Sequence, residues 1–242
     1  MEIGEFIRIM EGLAPPELAE EWDRGRIGLV VEGNEHLEHI CCSLDATTAV
    51  IRKAVLQRAD MLVVHHTPLW DPVTAFRGPV ASLLREALIA GMNIYVMHTN
   101  FDHAQGGVND TLAGLLALEE PHPLTLGVVG ECRIGLQDIA DRLDCPLRVW
   151  GRPAIPGRLG VVGGSGFIPE LIEEAKEAGA LSVLSSEVRH SVARASPIPL
   201  IEGTHYALEA PAMRMLANKM SWTYIEDLPQ LQTWTPKNSG KD

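Results

Sequence analysis

Two short apolar segments, each followed along the chain by a helical pattern, constrain the fold most. Residues 61–64 read MLVV and residues 93–97 read NIYVM, which suits strands buried on both faces of a parallel sheet. Apolar residues recur at helical spacing over 79–90 and 108–118. This alternation predicts an α/β fold in which helices flank a mostly parallel sheet.

The second half of the chain repeats this rhythm of strands and helices. It starts near residue 125 and ends in a helical pattern over 205–219. A length of 242 residues suits one large domain or two small ones. We therefore predict two α/β lobes, residues 1–124 and 125–242, with a linker around residues 119–126.

The charge balance argues against two classes of partner. Twenty Lys and Arg residues against 32 Asp and Glu residues give a net charge of −12, which repels nucleic acid and anionic membrane surfaces. No apolar run approaches the roughly 18 residues of a membrane span, and the acidic N-terminal pattern is not that of a signal peptide. The four cysteines show no CxxC spacing, which favours reduced thiols. The sequence predicts a soluble, cytoplasmic protein.

Histidine and carboxylate side chains follow both apolar segments. His65 and His66 come directly after MLVV, and His98 and Asp102 come after NIYVM. Ligands of open α/β sheets collect at the carboxyl ends of strands, so neighbouring strands would direct these groups into one crevice. Two simpler interpretations stay open. The histidine pair could be one core and one surface residue, and Asp102 could cap a turn.

A third cluster lies at the start of the last helical pattern. His205 and Glu209 are four residues apart, so both side chains lie on one face of that helix. The small Gly203 just before them would let the chain pass close to a ligand. From the spacing alone, an exposed helix pair is the favoured interpretation.

Together the three clusters offer more ligands than one tetrahedral ion uses. Their mixture of imidazole and carboxylate suits Zn, Fe, Mn, Co or Ni. Two ions about 3.5–4 Å apart that share a carboxylate would use all of them, and would acidify a bridging water into a hydroxide nucleophile. This hypothesis requires the three clusters to meet in space.

Weaker candidates surround these clusters. The Gly163–Gly166 turn, which includes Gly164, could cradle a phosphate, but it lacks the P-loop lysine and a tight strand–helix turn is favoured. Glu187 and His190 could line a pocket or cap a helix. Asp45 follows a predicted strand over 37–44 and is expected to cap the next helix.

The ordered set of motifs resembles the Nif-three-like family, whose members are also called GTP cyclohydrolase I type 2 homologues. The resemblance spans nearly the whole chain. It is carried by Glu21-Trp22-Asp23 with Ile27-Gly28-Leu29, Ser43-Leu44-Asp45-Ala46-Thr47, His65-His66-Thr67-Pro68, His98-Thr99-Asn100-Phe101-Asp102, Gly106-Gly107-Val108-Asn109-Asp110, Val162-Gly163-Gly164-Ser165-Gly166, and Gly203-Thr204-His205-Tyr206-Ala207-Leu208-Glu209.

The resemblance implies two related lobes with a metal site in the cleft between them, and two divalent ions per chain. It also implies a ring-shaped homohexamer with the metals facing an internal cavity. The family's ligand positions match His65, His66, Asp102, His205 and Glu209 one by one. The roles expected nearby, in the second coordination sphere or in substrate binding, fall to His98, Asp45, Glu187, His190 and Gly164. The family's "TGd" segment is replaced here by Ser185-Ser186-Glu187.

Two functions follow as expectations. The family name implies a metal-dependent hydrolase that acts on a nucleotide or related phosphate compound, with hydroxide attacking C8 of the guanine ring of GTP and formate released. The alternative is a non-catalytic metal-binding regulatory or scaffold protein. It is favoured by the lack of Lys or Arg directly beside the clusters, since Arg77 lies well past the histidine pair and Arg189 lies well before His205.

Overall fold

The computed structural model describes residues 1–232. Helices and strands alternate through the first half, as the apolar pattern predicts. In chain order they are α1 (Ile3–Leu13), β1 (Gly28–Val31), β2 (Ile40–Asp45), α2 (Thr48–Leu56), β3 (Met61–His66), α3 (Gly78–Ile89), β4 (Asn93–Val96), α4 (Thr99–His103) and α5 (Val108–Leu115).

The second half also mixes the two kinds of element. In chain order they are β5 (Glu119–Pro123), β6 (Val128–Cys132), α6 (Leu136–Leu143), β7 (Arg148–Trp150), β8 (Gly157–Val161), α7 (Pro169–Glu177), β9 (Ser182–Ser185), α8 (His190–Ala195), β10 (Leu200–Glu202), α9 (His205–Met220) and β11 (Thr223–Tyr224). The predicted α/β class is confirmed.

The first sheet has the order β1-β4-β3-β2-β11. β4, β3, β2 and β11 run parallel to one another, and the edge strand β1 pairs antiparallel with β4. The apolar segments of β3 and β4 are fully buried, because helices cover both faces of a parallel sheet. The carboxyl ends of β2, β3 and β4 therefore lie side by side at one edge.

The second sheet has the order β5-β6-β8-β9-β10-β7 and is mixed. Only β8, β9 and β10 run parallel to each other, while the outer pairs are antiparallel. A four-residue connection joins β5 to β6, and such a short connection permits only an antiparallel pair. The expectation of a mostly parallel sheet therefore describes the first sheet and not the second.

The segment expected to be a linker, residues 119–126, contains strand β5 and the turn of its hairpin. Every residue of β5 is exposed, so the strand has no apolar alternation that could reveal it. Strand β11 returns to the first sheet and pairs with β2. Residues 119–123 thus belong to the second sheet and residues 223–224 to the first. A division into lobes at residue 124 stays a prediction.

Helix α9 joins the two halves. Its buried side chains pack against β2 and α5 and share one core with residues of both sheets. Thr204 caps its first turn by accepting a hydrogen bond from the Ala207 amide at 3.2 Å. This packing places the N-terminal turn of α9 over the carboxyl end of β3. Within residues 1–232, none of the helices combines the length and apolar character needed to cross a membrane.

Candidate metal centre

The five side chains predicted as ligands meet at one point. His65 and His66 end β3, Asp102 lies in α4, and His205 and Glu209 lie in the first turns of α9. The Glu209 carboxylate is central. Its Oε2 lies 2.9 Å from Nε2 of both His66 and His205, and its Oε1 lies 3.8 Å from Nε2 of His65. The Asp102 Oδ1 is 3.5 Å from the same His65 atom.

Consecutive strand residues normally point to opposite faces, yet the His65 and His66 rings converge, with centroids 5.0 Å apart. β3 continues through His66, which pairs with Asp45 of β2. β4 instead stops opposite Val64. His65 and His66, the last two residues of β3, therefore extend beyond the end of β4 into the crevice.

Each histidine of the centre is held through Nδ1. This atom donates to the Met97 carbonyl in His65 and to the Asp45 carboxylate in His66, both at 2.7 Å, and to Glu187 in His205 at 2.8 Å. A carbonyl or carboxylate oxygen only accepts, so Nδ1 carries the proton in each ring. Nε2 is left facing the centre, which is how protein partners orient metal-binding histidines.

Burial and neighbouring charges shift the pKa values of these groups. Burial lowers the pKa of His65, and burial together with the Glu209 carboxylate raises the pKa of Asp102 well above its usual range. Burial alone would lower the pKa of His66, but its hydrogen bonds to Asp45 and Glu209 raise it to about 10. The raised pKa values of Asp102 and His66 favour a proton on each of these two groups. A divalent ion would displace these protons, because metal binding requires deprotonated ligands.

The donor set fits a metal ion. The His65 Nε2 and the Asp102 Oδ1 are buried, and neither has a hydrogen-bond partner in the described part of the chain. An unpaired buried polar atom costs about 1–3 kcal/mol, so such atoms call for a partner. Three groups of possible ligands have their ligand atoms within 4.8 Å of one another. Two of them share Glu209, and these are His66, His205 and Glu209, and His65, Asp102 and Glu209. The third contains His65, His66 and His98. These residues could bind metal ions.

The expected helix cap at Asp45 is wrong. Thr47 caps α2 by accepting from the Val50 amide at 3.1 Å, while Asp45 is the last residue of β2. Asp45 and His66 are paired across the sheet, which brings the carboxylate to the ring that it orients. The contact between Asp45 and His66 therefore follows from strand register.

Gly164 and Glu187 also meet at the centre. Gly164 has φ +62°, and a Cβ there would lie 2.3 Å from the Glu209 Oε1, so only glycine lets the turn pass this carboxylate. The Ser185 and Ser186 hydroxyls donate to the Gly164 carbonyl at 2.9 and 2.7 Å. Glu187 accepts hydrogen bonds from Ser165 and His205. The Ser185-Ser186-Glu187 segment therefore holds both the glycine turn and a ligand histidine.

Side chains outside the Gly163–Gly166 turn accept hydrogen bonds from its backbone amides. The Gly163 amide donates to the Asn109 side chain at 2.9 Å, and the Gly166 amide donates to the Ser185 hydroxyl at 2.8 Å. These partners occupy the first and last backbone amides of the Gly163–Gly166 turn.

His98 lies beside the ligand histidines, with its ring centroid 5.1 Å from that of His65 and 5.6 Å from that of His66. Its Nδ1 donates to Asp23 at 2.9 Å, and Asp23 also accepts from the amide and hydroxyl of Thr99. Sequence reasoning assigned no role to Asp23. Burial by itself would raise its pKa, but these hydrogen bonds lower it. The Trp22-Asp23 pair, one of the motifs shared with the family, is the sequence feature that could have indicated this role for Asp23.

His190 does not join the group. It is an exposed residue at the start of α8 and does not line the cavity beside the ligands. That cavity has a volume of about 580 Å³, and its walls include Trp22, Trp70 and Ile168 as well as several of the ligands. None of its lining residues within the described range 1–232 is a lysine or an arginine.

Comparison with known proteins identifies the family. The model of the DUF34/NIF3 (NGG1p interacting factor 3) family matches residues 1–233. The chain belongs to the DUF34/NIF3 family. A Pyrococcus horikoshii member named GTP cyclohydrolase 1 type 2 homolog is 33% identical over 213 residues, 80% of this chain and 84% of the relative.

Solved DUF34/NIF3-like structures share the fold. Reduced HcgD from Methanocaldococcus jannaschii superposes with a TM-score of 0.81 at 28% identity, covering 93% of this chain and 96% of that one. A Bacillus cereus protein related to NIF3 gives a TM-score of 0.82 at 17% identity, with coverage of 98% and 99%. The second likeness shows the fold alone.

Proposed function

We propose that this DUF34/NIF3 protein is a dinuclear metal-dependent hydrolase that acts on a nucleotide or a related phosphate compound. The observation that carries the proposal is the convergence of three Nε2 atoms and two carboxylates on one point, with every Nδ1 already bound by an acceptor. The name of the Pyrococcus horikoshii relative directs the choice of GTP as the first substrate to test.

Each of the two groups of possible ligands that contain Glu209 would hold one ion. His66 and His205 would bind one ion, and His65 and Asp102 would bind the other. Glu209 belongs to both groups, so its carboxylate would bridge the pair. When bound, two such ions acidify a shared water and polarise the bond to be hydrolysed.

The chain's own residues position this chemistry. Asp45, Glu187 and the Met97 carbonyl fix the orientation of the three ligand rings. Asp23 holds His98 at the wall of the cavity.

A second candidate is a non-catalytic metal-binding regulator. The observation in its favour is the absence of lysine and arginine among the cavity-lining residues of the described chain, because a triphosphate is usually neutralised by such groups. A homohexameric ring, implied by the family resemblance, also stays a prediction. A single 26 kDa species in light scattering would contradict it.

Turnover separates the two candidates. Protein reconstituted with Zn, Fe, Mn, Co or Ni should consume GTP and release formate. His65→Ala should lower the rate by about 100-fold or more, since even the residues that orient metal ligands contribute 10–100-fold. The exposed His122 provides a matched control, and His122→Ala should retain the wild-type rate. Equal rates for wild type and His65→Ala would contradict the hydrolase and favour the regulator.

A further inference from the structure

We infer that the cavity beside the metal ligands recognises its substrate through a planar, uncharged ring, and that phosphate groups attached to this ring remain outside and add nothing to affinity. The inference rests on the proposed function, because it concerns the same site. It names the part of the substrate that enters.

Two tryptophans form an aromatic entrance to the cavity. Trp22 is 53% exposed and Trp70 is 45% exposed, although large aromatic side chains are normally buried. Each packs edge-on against the His98 ring, with centroid distances of 5.7 and 5.3 Å. Exposed indole rings that line a cavity suit stacking with a heterocycle, and such stacking tolerates many ring structures.

Arg26 links the backbones of the two tryptophans. Arg26 donates from its Nε to the Trp70 carbonyl at 2.7 Å and from a terminal nitrogen to the Trp22 carbonyl. One guanidinium thus ties together two loops that are far apart in sequence. A link between the two loops restricts their relative motion, so less entropy is lost when a ring binds against them.

The charges of the cavity disfavour an anion. Its lining includes four carboxylates, those of Glu20, Asp102, Glu170 and Glu209. In the described part of the chain, none of the lining residues is a lysine or an arginine. Two divalent ions would carry four positive charges and the four carboxylates four negative ones, so together they would leave no net positive charge to attract a triphosphate. The apolar residues Leu126, Ile168 and Leu171 also line the cavity. A volume of about 580 Å³ is within the range of ligand sites.

The competing arrangement would use the neighbouring arginines. Arg24 and Arg26 line a separate cavity of about 410 Å³ that shares Trp70 with the metal cavity. Asp71 lines the same cavity, and Arg26 already binds two carbonyls. If phosphates reached Arg24, they would contribute strongly to affinity, so the two arrangements predict different measurements.

Calorimetric titration of the metal-loaded protein tests the inference with three probes: guanosine, GTP and inorganic triphosphate. Guanosine and GTP should bind with dissociation constants within about threefold of each other, and triphosphate should not displace guanosine. Trp70→Ala should weaken both by about tenfold or more, while Trp70→Phe retains most of the affinity. Phe76→Ala is the matched control, because Phe76 is an exposed aromatic on the same loop that lines neither cavity.

The inference is overturned if GTP binds at least about tenfold more tightly than guanosine and Arg24→Ala removes the difference. It is also overturned if triphosphate displaces guanosine, or if Trp70→Ala leaves both affinities unchanged. The binding and turnover measurements contradict different proposals. Ring binding without GTP hydrolysis contradicts the proposed function alone, whereas hydrolysis of GTP that binds through its phosphates contradicts this inference alone.

Discussion

Replacing Glu209 with glutamine should leave the chain without either metal ion, whereas replacing Asp102 with asparagine should remove only one. Glu209 belongs to both groups of ligands and Asp102 to one. The amide is nearly the same size as the carboxylate, but it is uncharged and cannot bridge two cations in the same way. Elemental analysis should give about two ions per wild-type chain, one for Asp102→Asn and nearly none for Glu209→Gln.

Glu170→Gln is the control for this series. Glu170 lines the same cavity but belongs to neither group of ligands, so its variant should keep the wild-type metal content. Equal metal content in Asp102→Asn and Glu209→Gln would show that no carboxylate is shared between two ions.

Gly164→Ala should empty the centre although it replaces none of the proposed ligands. The added Cβ would lie 2.3 Å from the Glu209 Oε1, and the residue's φ of +62° is unfavourable for alanine by about 1–2 kcal/mol. Ser185 and Ser186 hold the turn from the other side, so Glu209 must move instead. Metal content should therefore fall nearly as far as in Glu209→Gln, with a modest loss in the free energy of unfolding.

Gly114→Ala separates this effect from a general response to replacing glycine. Gly114 lies within α5, and among the described residues beyond its own helix and its chain neighbours no atom lies within 4 Å of where a Cβ would stand. Alanine there should raise the free energy of unfolding by up to about 1 kcal/mol and leave the metal content unchanged. Thermal unfolding and elemental analysis measure both quantities. Full metal content in Gly164→Ala would contradict the close contact with Glu209.

The elements that carry the ligands could be predicted because local signals specify them. Apolar runs revealed β3 and β4, and the rule that ligands gather at strand ends directed attention to the residues that follow them. The four-residue spacing of His205 and Glu209 placed both on one helical face. The structure brings these predicted ligands together.

Other features could not be predicted because they depend on contacts distant in sequence. β5 is polar throughout and forms only by pairing with β6. The roles of Asp45 and Asp23 follow from which strand or loop lies beside each histidine, and the sequence does not specify this. Arg24 and Arg26 are far along the sequence from the histidine and carboxylate clusters, so their position in the cavity that shares Trp70 could not be predicted either.

X-ray absorption spectroscopy of the metal-loaded wild-type protein tests the central claim most directly, because it measures distances around the bound ion. A pair of ions bridged by Glu209 predicts a metal–metal contribution at about 3.5–4 Å, in addition to nitrogen and oxygen neighbours at about 2 Å. A spectrum with nitrogen and oxygen neighbours but no metal–metal contribution, from protein carrying its full complement of metal, would contradict the dinuclear centre.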